Sequence, residues 1–443
     1  MRIMTTLFNF LKKYALVILI AFCIGAFVGY KTLERLGIAA LINSIPIPEG
    51  SIADKDAFVK TLPEGSTLVQ KALSPVDKKA KNIILLIADG MSLSQVTSYR
   101  LLQGGPDARL SMDKFPISGI VLTHSADAIV TDSASSATAF STGQKTNNGA
   151  LGLDQNKEVL ENLTEKIHDY GYVSSLISTS EITHATPAAF ASHVDLRWKT
   201  DEISKQMMDS NVMTILGGGR HFFITEEMGG NREDGLNLME QIKGSHTVLT
   251  KKEELSTFDT TNKEKVVGLF ADEHLRDIER PENHSSEPTT SEMLDFAINR
   301  SLDFNQNGCN GFFIMVEGSQ VDWAGHANNV DYLVQEMKDF DDAVSMAHKF
   351  AMENEDTLVI VTADHETGGL LIEPETPTNY TSPEVKFSFN TGIGYGSHTG
   401  VPVPVYAYGP GSENFTGTLD NTDIYYAMVE ALDLSSQSGS CVK

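Results

Sequence analysis

Three continuous apolar runs in this 443-residue chain end in residues able to ligate a metal or move a proton. NIILLIADG reaches Asp89, GFFIMVEG reaches Glu317, and DTLVIVTADH closes on Asp364 and His365. A carboxylate at the end of an apolar strand costs free energy unless a cation or hydrogen bonds compensate it. One such residue reads as readily as a helix cap; three together argue for a shared task. The segment EGSQVDWAGHANN adds Asp322 and His326, four residues apart and so neighbours on one helix face. Carboxylate oxygen and imidazole nitrogen both suit a divalent transition metal such as zinc, although the pair alone also reads as a surface salt bridge. His398 lies in GYGSHTGVP, where no apolar face buries it. A lone loop histidine is ordinarily solvated, but Asp89, Asp322, His326, Asp364, His365 and His398 together supply enough ligands for two metal ions, three each.

A nucleophile candidate lies in VTDSASSATAFSTG. Ser133 follows Asp132 and opens a run of Ala, Ser and Thr suited to a helix start. A helix amino terminus stabilises negative charge, which favours an alkoxide and an anionic substrate alike. A plain capped helix is the other reading of the same residues.

Positioning these groups requires strands, and the apolar runs over 82–90, 311–318 and 356–365 have the form of strands buried on both faces. Shorter runs over 118–125, 172–179, 212–219 and 401–409 extend the set. Helical spacing covers 157–171, where Leu160, Leu163, Ile167 and Tyr170 recur before a Gly, and also 291–304 and 330–353. Strands alternating with helices predict an α/β three-layer sandwich: a large, mostly parallel central sheet with helices on both faces. In such sheets ligands bind beyond the carboxyl ends of the strands, where the acidic residues fall.

Net charge is −25, and beyond residue 50 there are 29 basic against 57 acidic side chains, or −28. No basic face is left for a nucleic-acid backbone. YALVILIAFCIGAFVGY, residues 14–30, is uncharged and follows Arg2, Lys12 and Lys13. Its length lies between a signal-peptide core and a spanning helix. With no small-x-small cleavage site after it, and with bulky Phe22 before Cys23, an uncleaved anchor is favoured over a cleaved signal. The basic flank keeps that end cytoplasmic and places the acidic body outside, periplasmic or extracellular. The organisation expected is a signal or anchor segment over 1–42, a linker over 43–80, a catalytic domain over 81–434 and a polar tail over 435–443. Three cysteines allow at most one bridge, Cys309 with Cys441, or leave both free.

In order along the chain, IADG (87–90), VTDSASSAT (130–138), THATPAAFASHVDLR (183–197), VEGSQVDWAGH (316–326), TADHETGG (362–369) and HTG (398–400) resemble the alkaline phosphatase family. The resemblance runs from about Asn82 to about Ala431 and implies that family's fold and its hydrolysis of phosphate monoesters, small molecules whose phosphoryl group alone is gripped. It implies that Ser133 is the nucleophile and that Arg197 clamps the phosphate, a bidentate task suited to guanidinium. It further implies that Asp322, His326 and His398 hold one zinc ion and Asp89, Asp364 and His365 a second. Magnesium would be held by Asp89, Thr186 and Glu317, and the chain would be a homodimer. His184 and Trp323 stand where one well-known version of the pattern has Asp and Lys, which bears on magnesium affinity because an imidazole replaces a carboxylate beside the ligands. Only 32 residues separate His365 from His398, so the large insertion of animal enzymes is absent, whereas 205–290 is long and its role is not legible. A phosphodiesterase or sulfatase relative would share the metal scaffold; Arg197, Thr186 and Glu317 favour the monoesterase. A surface protein that binds metal or phosphate without turnover is disfavoured by the intact Ser133 and ligand set.

Overall fold

All seven residues of Asn82–Ala88 are buried, as are all eight of Gly311–Gly318 and all six of Thr357–Thr362. Side chains alternate across a strand, so burial of every residue means that both faces are covered. The computed structural model describes residues 57–61, 78–275, 286–376, 381–435 and 438–442. Its strands are β1 (Ala57–Thr61), β2 (Asn82–Ala88), β3 (Ile117–Leu122), β4 (Tyr172–Glu181), β5 (Thr214–Gly218), β6 (His246–Leu249), β7 (Lys265–Leu269), β8 (Gly311–Gly318), β9 (Thr357–Thr362), β10 (Glu366–Thr367), β11 (Leu371–Pro374), β12 (Glu384–Ser388), β13 (His398–Thr399), β14 (Val403–Tyr408) and β15 (Gly417–Asp420).

Ten of them form one sheet in the order β15-β3-β14-β9-β2-β8-β4-β5-β7-β6. Only β14 runs against its neighbours, β3 and β9; the remaining pairings are parallel. One group of helices, Thr290–Gln306 and Val330–Glu353, packs together and against the central strands, and Leu93–Gly104 lies on Val330–Glu353. Another, Ser133–Thr142, Ala185–Ala188 and Asn421–Ala431, packs around Ser133–Thr142, with Leu163–His168 and Ala185–Ala188 against β4. The expected three-layer α/β sandwich with a mostly parallel sheet is therefore present.

Departures from the sequence reading are local. Helix over 157–171 is confined to Leu163–His168. Asn162 caps it, accepting from the Glu165 N–H at 3.1 Å while the Glu165 carboxylate takes the Asn162 N–H at 2.9 Å, a reciprocal box that sets the start. Leu160 instead sends its N–H to Gly152. The polar 205–290 stretch supplies β5, β7 and edge strand β6, so it widens the sheet. Within 43–80, β1 pairs antiparallel with β12 in a small three-stranded sheet. Cys309 and Cys441 form a disulfide. The apolar segment 14–30 lies outside the described residues, and among the described ones no helix is long and apolar enough to cross a membrane.

Candidate active site

Strands β2, β8 and β9 lie side by side, and their carboxyl ends bring Asp89, Glu317, Asp364 and His365 together. Each of the four is fully buried. Gly90 follows Asp89 with φ +78°, and a Cβ there would come within 2.7 Å of the Asp322 Cα. Glycine thus lets the helix Gln320–His326 approach the end of β2. Asp322 and His326 face each other along that helix, Oδ2 to Nε2 at 3.2 Å, and His398 Nε2 reaches Asp322 Oδ1 at 3.5 Å. Antiparallel pairing of β10 with β13 brings His398 beside the His365 strand end.

Hydrogen bonds fix which imidazole nitrogen is presented. His326 Nδ1 donates to the Gly396 carbonyl at 2.7 Å and His398 Nδ1 to the Thr131 carbonyl at 3.0 Å. Thr367 donates its hydroxyl to Asp322, leaving its oxygen to accept from His365 Nδ1 at 3.2 Å. In all three rings Nδ1 is thus taken up and Nε2 points into the cluster, the arrangement that prepares histidine for a metal. His365 Nε2 lies 3.3 Å from Asp89 Oδ1 and 3.2 Å from Asp364 Oδ2.

Donor atoms gather closely enough to hold a cation in three groups: Asp322 with His326 and His398, Asp89 with Asp322 and His365, and Asp89 with His184 and Glu317. Asp364 adjoins the second group and Thr186, fully buried, follows His184 by two residues. Asp89 Oδ1, Asp364 Oδ2, Glu317 Oε1, Thr186 Oγ1 and His184 Nδ1 are buried without a hydrogen-bond partner among the described residues. Burial and the neighbouring Asp364, Asp322 and Glu317 push the Asp89 carboxyl well above its ordinary range. For Asp364 the same burial with Asp322 and Glu317 acts upward, whereas at Asp322 the facing His326, His398 and His365 outweigh burial and hold it down. Four carboxylates share one buried site, and unmatched burial of charge is costly. Cations are what such a site is built to receive.

Ser133 is the first residue of the helix Ser133–Thr142, capped by Asp132, which accepts from the Ser135 N–H at 3.0 Å. Its Oγ lies 3.4 Å from Asp89 Oδ2 and 3.3 Å from His365 Nε2. Asp132 also accepts from Arg197 Nη1 at 3.1 Å, and Arg197 Nη2 donates to His184 Nε2 at 3.0 Å. Burial opposes ionisation of Asp132, yet Arg197 and the Ser135 and Gly149 N–H groups outweigh it and keep its pKa low. Each Arg197 terminal nitrogen is thus anchored by one partner, which aims the guanidinium beside Ser133.

All thirteen residues singled out in the sequence lie in or around this cluster. Sequence reasoning missed Thr367, which links Asp322 to His365, and Glu366, which accepts from Gln95 Nε2 at 3.0 Å and from the Thr399 hydroxyl. It also missed His274, from the 205–290 stretch, which pairs with Glu181 and places its ring 4.2 Å from that of Trp323. The only signal for Thr367 and Glu366 was adjacency to Asp364-His365; for His274 there was none, because its partners are remote in sequence.

The sequence profile of the alkaline phosphatase family matches residues 80–384 and 375–434. The chain is 33% identical to alkaline phosphatase 4 of Bacillus subtilis, over 80% of this chain and 89% of that protein. Against Escherichia coli alkaline phosphatase identity is 34%, over 81% and 87%. Among solved structures, the alkaline phosphatase of the Antarctic bacterium TAB5 superposes with a TM-score of 0.71 at 37% identity, covering 80% of this chain and 98% of that one. The motifs, the sheet that carries them and these relatives agree, and the chain belongs to the alkaline phosphatase family.

Proposed function

We propose that this alkaline phosphatase carries the phosphoryl group on Ser133 as a phosphoserine, with Arg197 on the phosphoryl oxygens and with two zinc ions and one magnesium as cofactors. The observation that carries the reading is the placement of the Ser133 Oγ, at a helix amino terminus and within 3.4 Å of Asp89 and His365. Imidazole with carboxylate suits zinc, which fits Asp322, His326 and His398 for one ion and Asp89, Asp364 and His365 for the other. Oxygen donors suit magnesium, which fits Asp89, Glu317 and Thr186. The buried, unpartnered oxygens of these residues support both assignments. A variant of the TAB5 enzyme has magnesium bound in its M3 site. Here the His184 Nδ1 also faces Glu317, at 3.9 Å, and an imidazole at that point weakens the preference for magnesium.

In the first step the Ser133 Oγ attacks phosphorus in line, its proton passes toward Asp89 Oδ2, and the ester oxygen leaves as an alkoxide that takes a proton from water. In the second, the hydroxide so formed attacks phosphorus, the Ser133 oxygen leaves and recovers its proton from Asp89, and inorganic phosphate is released. Arg197, held by Asp132 and His184, accompanies the non-reacting oxygens through both steps. Bound cations supply the lowered hydroxyl pKa and the charge neutralisation that this chemistry needs. Replacing Ser133 by Ala should abolish phosphoserine formation, and chelation should remove activity that zinc and magnesium restore. A chelator-insensitive enzyme contradicts the reading.

The body is exported and held at the membrane by residues 14–30. Support comes from the basic flank of that segment and from the Cys309–Cys441 disulfide, since such bonds persist in oxidising compartments. Homodimerisation is part of the same proposal, and it rests on family resemblance.

A further inference from the structure

Two aromatic side chains at the rim lean on site residues and leave most of their surface in solvent. Tyr395 is 70% exposed and lies nearly parallel to the His326 imidazole, ring centroids 4.7 Å apart and planes at 13°. Trp198 is 59% exposed, with the Arg197 guanidinium carbon 5.2 Å from its ring centroid. Aromatic rings bring large apolar area and stack in offset or edge geometry with other rings. A single exposed apolar residue needs no explanation; two of them, one against a ligand candidate and one against the phosphate clamp, call for one.

Tyr395 is the outermost of a row of rings that starts at the nucleophile. His365, 3.3 Å from the Ser133 Oγ, stacks on His398 at 3.6 Å and 21°; His398 meets His326 at 5.1 Å; Tyr395 follows. The loop around Tyr395 is gripped through its backbone. The Gly396 carbonyl accepts from His326 Nδ1 at 2.7 Å, and the Gly396 N–H donates to the His326 carbonyl at 2.7 Å. The phenol ring is therefore presented next to the imidazole by its neighbour's hydrogen bonds, before any substrate arrives. Pre-organised contact area of this kind costs little entropy on binding.

Resting on the phosphatase reading above, we propose that Tyr395 is a specificity-determining residue whose outer face stacks on the planar group of the leaving alcohol. The preferred substrates are then phosphate monoesters of aryl or nucleoside alcohols rather than of small aliphatic ones. The chain carries a formal net charge of −25 and so repels phosphate esters at long range. Stacking is a neutral attraction that this field does not oppose, and it acts on the part of the substrate that Arg197 and the metal ligands leave unread.

The test uses the metal-loaded full chain and compares kcat/KM for adenosine monophosphate, 4-nitrophenyl phosphate and glycerol phosphate in wild type, Tyr395→Ala, Tyr395→Phe and Tyr395→Trp. In Tyr395→Ala the two aromatic substrates should lose about three- to tenfold more than glycerol phosphate, chiefly through KM, and Phe or Trp should restore the ratio. An equal loss on all three substrates, or failure of both aromatic variants to restore the ratio, overturns the proposal. Wild type that turns over all three with an unchanged ratio in Tyr395→Ala sinks the stacking role alone. Wild type inactive on all three sinks the phosphatase reading with it.

Discussion

Replacing Asp364 by Asn separates a site built for cations from one that merely contains acids. Asp364 is fully buried; its Oδ1 accepts from the Gly90 N–H at 3.2 Å and the His365 N–H at 3.0 Å, and its Oδ2 has no hydrogen-bond partner. Asparagine keeps the accepting oxygen and removes one negative charge from a group that also holds Asp89, Asp322 and Glu317. An uncompensated buried charge carries an effective penalty of several kcal/mol, so the metal-free variant should be more stable than metal-free wild type by about 1–3 kcal/mol. With zinc the order should reverse. A cation at a thousand times its dissociation constant stabilises by about 4 kcal/mol, and an amide in place of a carboxylate forfeits much of that. Denaturant unfolding near about pH 8, once with chelator and once with zinc, reads both halves of the cycle. If Asp364→Asn is less stable than wild type by similar amounts in both conditions, the residue is an ordinary buried contact and the reasoning fails.

Two predictions concern the scaffold. His348 lies 4.9 Å from the Phe115 ring and 4.8 Å from Tyr408, its Nε2 unpartnered, and burial together with Lys114 holds its pKa at about 4 against an ordinary 6.5. Between those values the unfolded chain binds a proton that the folded one refuses, so stability is full above pH 6.5 and falls as pH drops toward 4. The loss is on the order of 3 kcal/mol. His348→Leu should flatten that acid limb, and an unchanged slope rejects the assignment. Cys309 and Cys441 are 132 residues apart, a loop whose closure constrains the unfolded chain by up to about 5 kcal/mol. Cys441→Ser should lower unfolding stability by about 2–5 kcal/mol, matching the effect of reductant on wild type; identical urea midpoints refute it.

Legibility in the sequence followed the range of the interactions. Asp89, Glu317, Asp364 and His365 stood out because each closes an apolar run that can only be a buried strand, and the fold places such ends together. Asp322 and His326 were readable from helical spacing. Strand β6 was not, because it lies at the sheet edge, half-buried and short, and lacks the apolar density of β2 or β9; β7 is buried beyond Lys265, but its five residues are too short a run to stand out in a polar stretch. The helix expected over 157–171 shrank because the Asn162 box outcompeted the periodicity of Leu160 with Leu163. His274, Glu181 and the row of rings ending at Tyr395 belong to contacts between remote segments, for which a single sequence carries no signal. The cysteine bridge was undecided for the same reason: count and spacing allow it, but only the fold brings Cys441 to Cys309.

The central claim is a covalent intermediate on Ser133, and it is tested most directly by acid-quenching the metal-loaded enzyme during turnover of a phosphate monoester and mapping the phosphorylated peptide by mass spectrometry. One phosphoryl group on the peptide containing Ser133, absent from Ser133→Ala and from chelated enzyme, is the result expected. Turnover without phosphate on that peptide, or undiminished turnover by Ser133→Ala, contradicts it.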